Sequence, residues 1–136
     1  PYKFRGHTYM DAGLVDMIPI EQSIRQGNTK HVFISTKEEN YVRKPAPGWQ
    51  IQLAKLMYPG NKTIRENLKI RHINYQKQWQ IVKELEEQGN AIVLRPSADY
   101  GVTRYTHDKE LLGRWFDLGY EDTKNRLDMI REFMEK

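Results

Sequence analysis

At 136 residues, 38 % of them apolar, the chain is long enough for a domain with a modest core and too apolar for a disordered segment. No run approaches the roughly 20 apolar residues that cross a bilayer, the opening PYKFRGHTYMDAG has no apolar signal core, and the lack of cysteine excludes a disulfide framework and a thiolate metal site. The net charge of +4 reads as a mild excess spread along the chain, densest in NKTIRENLKIRHINYQKQ, where Glu66 breaks it, so the expectation is a solvated helix face and no nucleic-acid partner.

Residues 2–10 are predicted as a hairpin, with YKF and HTYM flanking Arg5-Gly6. Asp11-Ala12-Gly13 ends its second strand, and Ile18-Pro19-Ile20 is expected to be extended. EQSIRQG is a short helix closed by Gly27-Asn28. KHVFIST follows as a buried-type strand, and the two prolines and glycine of EENYVRKPAPG make residues 38–48 a loop. WQIQLAKLMY is a helix ended by Pro59-Gly60. Thr63 and Glu66 form a capping-box pattern for a longer helix over about 64–88, whose apolar positions Ile64, Leu68, Tyr75, Trp79, Val82 and Leu85 recur near 3.6. AIVLRP is a third buried-type strand, Asp108 a predicted N-cap, and the last helix runs to the C-terminus with a kink or division expected at Gly119.

The order is β-β-α-β, then α-α-β-α, an α/β pattern without internal repeats. The strand at 31–36 has apolar residues on both faces and reads as central, yet few strands are available to flank it. That combination is expected of a C-terminal piece of a larger α/β domain.

Candidate chemistry is sparse. Ser23, Ser35 and Ser97 are the only serines and none lies in a nucleophile elbow. There is no glycine-rich loop to hold an oxyanion or a phosphate. The four histidines, His7, His31, His72 and His107, have no metal-ligand spacing, and His72 reads as a packing residue. Asp11 remains, at a strand end before two small residues. Two readings fit it: a turn residue, or a carboxylate that takes a proton from a hydroxyl or orients one. Asp16 reads as a cap for the approach to the short helix.

The segment YMDAGLVDMIPI resembles the tyrosine-x-aspartate-glycine-glycine-x-x-aspartate-x-isoleucine-proline segment of the patatin-like phospholipases, and Pro1 and Gly6 match its lead-in. VFISTKEENYVRKPAP resembles the strand and Tyr-Arg-Lys loop that follow. IRHINYQKQWQIVKELEEQGNAIVLRPS and LGYEDTKNRL resemble a C-terminal extension in a bacterial branch of that family. The resemblance implies a serine–aspartate dyad hydrolase of lipid or carboxylic esters on a three-layer α/β/α fold. Asp11 would be the catalytic aspartate, with Ala12 and Gly13 completing its motif. Residues 1–37 would belong to the hydrolase core and 38–136 to a mainly helical extension containing one further strand. The nucleophile and oxyanion hole would lie in an N-terminal part of the same protein, so this chain would be inactive alone. No metal or cofactor is implied, and the expected setting is the cytoplasm, with a membrane surface as a partner. Two positions depart from the pattern: Ala12 replaces glycine and Met17 replaces proline. Alanine is strained by on the order of 1 kcal/mol if that position needs positive φ, and harmless otherwise. The alternative expectation is a non-catalytic module that binds a partner or a membrane surface through the basic, aromatic helix at 62–82.

Overall fold

The structure, a computed structural model, describes residues 1–135. It is a mixed α/β chain of helices with a few short strands in two small sheets. These form two compact units, the first from Pro1–Gly27 and Val42–Val82, the second from Asn28–Tyr41 and the residues from Lys83 on. No described helix is long and apolar enough to cross a membrane.

The first unit opens with the predicted hairpin. β1 (Tyr2–Phe4) pairs antiparallel with β2 (His7–Tyr9), Phe4 opposite His7. The two-residue turn works because Arg5 and Gly6 both take positive φ, 48° and 78°, the twist that matches paired strands. A short 3₁₀ turn, Ala12–Leu14, follows. α1 (Ile20–Arg25) starts one residue earlier than expected, with Pro19 at the N-cap. The restriction imposed by proline falls on Ile18, while its own φ of −75° suits a helix entry. Ile18 and Ile20 are buried on either side of exposed Pro19 and share the core with Ala54, Ile64 and Val82.

α2 (Gly48–Met57) and α3 (Lys62–Glu87) meet at a tight turn, and the last turn of α3 belongs to the second unit. α3 does not use the predicted capping box. Its third amide, Ile64 N, donates to Asn61 Oδ1 at 3.3 Å, so Asn61 is the cap, and Thr63 and Glu66 are exposed residues inside the helix. Arg65 secures the turn, with Nη1 donating to the carbonyls of Tyr58, Pro59 and Asn61.

The fold also sorts the charge, which is not spread as expected. Residues 42–82, all in the first unit, carry eight Lys and Arg against one carboxylate, Glu66, a net of +7. With +4 for the whole chain, all other residues together are at −3.

In the second unit β3 (His31–Ile34) pairs in parallel with β4 (Ala91–Leu94), His31 opposite Ala91 through Ile34 opposite Leu94. β4 is the strand buried at all four residues. β3, expected to be central, has one strand partner among the described residues, and its Val32 and Ile34 are 42 % and 72 % exposed. α4 (Lys109–Lys124) is capped as predicted, with Asp108 Oδ1 accepting from Glu110 N and Leu111 N. The terminal helical stretch divides at Asn125-Arg126, before α5 (Leu127–Glu135), and not at Gly119. Gly119 keeps helical geometry, its carbonyl accepting from Thr123 Oγ1 at 2.8 Å. At the division Arg126 Nη1 donates to Val93 O of β4, and farther on Lys30 Nζ, just before β3, donates to Phe133 O.

Candidate functional site

Asp11 stands where β2 gives way to the 3₁₀ turn. Its backbone is extended (φ −53°, ψ 127°), which lets the carboxylate fold over the turn, and Oδ1 accepts the Gly13 amide at 2.6 Å. This is the local bond that makes aspartate a preferred cap. It leaves Oδ2 without a hydrogen bond among the described residues, on an exposed side chain.

Gly13 is required by space and not by φ. A Cβ built on it would lie 2.8 Å from Asp11 Oδ1 and 3.5 Å from Arg71 Nη2. The Asp11 carboxylate and the Arg71 guanidinium thus converge on the room that a side chain would fill. Arg71, from α3, donates through Nε to the Gly13 carbonyl at 2.7 Å and ties the turn to the helix. Ala12 opens the turn without positive φ, since Arg5 is the one non-glycine in that region among the described residues. Alanine there is unstrained.

Asp16 does not cap α1. It accepts from Gln78 Nε2 at 2.7 Å, while Gln78 Oε1 accepts the Ile18 amide at 3.1 Å. Buried Gln78 thereby spends both ends of its amide on the loop that follows the turn. The two aspartates of the segment have separate settings: Asp16 is half-buried and bonded to α3, and Asp11 is presented to solvent. Met17, next to Asp16, is half-buried, with its Cγ 3.8 Å from where a Gly13 Cβ would stand, and adds no polar group.

What the arrangement can do follows from chemistry. A carboxylate fixed through one oxygen and open at the other can accept a hydroxyl proton or orient a hydroxyl. Ser35, in the second unit, donates its Oγ hydrogen to Lys37 O at 2.8 Å. Among the described residues no group of three or more His, Asp or Glu is arranged around a metal position. His72 is half-buried, and its Nδ1 lies inside without a hydrogen bond.

Arg71 and Gln78 are the residues that the sequence reading passed over. Seven apart, they share one face of α3 with Val82, where an apolar stripe was expected. A polar residue interrupting that stripe was the available signal. The second unit has its own cavity of ≈ 160 Å³ at the C-terminal ends of β3 and β4, walled by Ile34, Leu94, Pro96 and Trp115. Two of its polar residues have partners: Asp122 accepts the Ser97 amide, and Arg95 lies 3.6 Å from Glu86.

Residues 61–135 match the family described as a domain of unknown function (DUF6363). The match spans more than half of the chain, and the chain belongs to that family. No curated protein and no solved structure matches it.

Proposed function

We propose that the chain is the C-terminal part of a patatin-like serine acyl hydrolase, with Asp11 as the proton-accepting half of a dyad whose serine lies outside it. The observation that carries this reading is the Asp11 carboxylate: anchored by the Gly13 amide, open at Oδ2, and set in a segment that resembles the patatin-like aspartate motif at Gly13 though not at Ala12. The serine Oγ attacks the ester carbonyl carbon as its proton passes to Asp11. Collapse of the tetrahedral adduct expels the alcohol, which takes that proton and leaves an acyl-serine. Water, deprotonated by the same carboxylate, then releases the carboxylic acid.

The open side of β3 supports the reading as well. A parallel sheet needs neighbours and two covered faces, and exposed Val32 and Ile34 are suited to strands and helices supplied by an N-terminal part on a three-layer α/β/α plan. The reading asks for no metal or cofactor and sets the enzyme in the cytoplasm. The test is turnover of a short-chain nitrophenyl ester. The 136-residue chain alone is expected to show none. The intact protein is expected to hydrolyse the ester and to lose that activity with Asp11→Asn. Turnover by the isolated chain that survives Asp11→Asn rejects the reading.

A further inference from the structure

α2 wears its largest apolar side chains on the outside. Trp49, Leu53, Leu56 and Met57 are 64 %, 45 %, 80 % and 58 % exposed. Their spacing, i, i+4, i+7 and i+8, puts them on one face of the helix. The covered face is smaller and more polar: Gln50, Ile51, Ala54 and Tyr58, of which only Ala54 is fully buried. A helix that packed by burying its apolar stripe would be turned the other way. A contiguous stripe of this kind marks a docking surface.

The surroundings say what docks there. The stripe belongs to the segment of net +7, and Lys44, Lys55, Lys62, Lys69 and Lys77 are all exposed. Aliphatic side chains and one tryptophan exposed on a unit rich in exposed lysines suit the interface of a bilayer, where the apolar face sinks below the headgroups and the positive charge of the unit favours anionic lipid. The long lysine stems let their ammonium groups stay in water while the stripe is buried. Nucleic acid offers nothing for Leu53, Leu56 and Met57 to enter, because its strands are gripped through phosphates and stacked bases. The basic helix at 62–82, the contact face expected from the sequence, keeps its aromatic residues in: Tyr75 lies under the Arg43 guanidinium at 5.7 Å and Trp79 is half-buried.

We infer that α2 is a membrane-docking helix that lays Trp49, Leu53, Leu56 and Met57 into the surface of a bilayer rich in anionic lipid. The docking does not use Asp11, so it stands whether or not the chain serves a hydrolase.

The test is co-sedimentation of the 136-residue chain with vesicles of phosphatidylcholine containing phosphatidylglycerol, against phosphatidylcholine alone. Partition onto the anionic vesicles is expected to exceed that onto neutral ones by about tenfold or more. It is expected to fall as salt rises from about 0.1 M to about 1 M, which shortens the screening length from about 10 Å to about 3 Å. Leu53→Gln/Leu56→Gln, at exposed positions, should keep the parent's circular dichroism and lose binding by on the order of tenfold. Tryptophan emission should shift to the blue on anionic vesicles, and Trp49→Phe should remove the shift while the protein still sediments. Asp11→Asn should bind vesicles like the parent, which separates a failure of docking from a failure of the hydrolase reading. Three results would each overturn the inference: no sedimentation with anionic vesicles at low salt, undiminished binding by Leu53→Gln/Leu56→Gln, or salt-sensitive retention of a DNA duplex with the vesicles left unbound.

Discussion

Gly13 holds the Asp11 carboxylate twice over: its amide donates to Oδ1 at 2.6 Å, and its missing Cβ leaves room for that oxygen, 2.8 Å from where the Cβ would stand. Gly13→Ala therefore has to move the carboxylate while leaving the rest of the turn in place. In the intact protein we expect ester turnover to fall by about 10²-fold, the scale of an approximately 1 Å misplacement of a reacting group. Thermal unfolding of the variant should stay within about 1 kcal/mol of the parent, because Asp11 is exposed. Full activity in Gly13→Ala would show that the carboxylate position is unimportant.

Ala12→Gly restores the residue of the resembled pattern and should bring no benefit. Ala12 has no positive φ to relieve. The expected effect is a loss of about 0.5 kcal/mol from the added freedom of the unfolded chain, read from the urea midpoint, with turnover unchanged.

Gln78 is the fastener between α3 and the loop after the turn. Gln78→Leu keeps the volume and removes both bonds, leaving the buried Ile18 amide without a partner. A loss of about 1–3 kcal/mol is expected by chemical denaturation, larger than for Gln80→Leu at an exposed site on the same helix.

The start of α3 separates two caps. Asn61→Ala should cost about 1 kcal/mol, and Thr63→Ala no more than a few tenths, because only Asn61 meets the Ile64 amide. The reverse order would restore the capping box.

Features built from adjacent residues were legible in the sequence. The Arg5-Gly6 turn, the Asp108 cap and the strand in AIVLRP each depend on a few neighbours; the first two stand as predicted, and the strand forms over its first four residues, Ala91–Leu94. Asp11 and Gly13 were legible as a pair for the same reason. Their support was not, because Arg71 and Gln78 reach the turn and loop from 58 and 60 residues away. The capping box failed to competition: Asn61, two residues earlier, reaches a free amide first. Gly119 failed because glycine permits a break without requiring one, and the polar contact of Arg126 with Val93 coincides with the actual division. The outward face of α2 is a tertiary fact, since periodicity shows a stripe and not the direction it points.

Ester turnover by the intact protein, with and without Asp11→Asn, tests the central claim most directly. Asparagine keeps the shape of the side chain and its acceptor for the Gly13 amide but cannot take a proton. A fall of about 10²- to 10⁴-fold or more in kcat, with folding unchanged, is the predicted result. Turnover equal to that of the parent would remove Asp11 from the chemistry and leave it a cap on a turn.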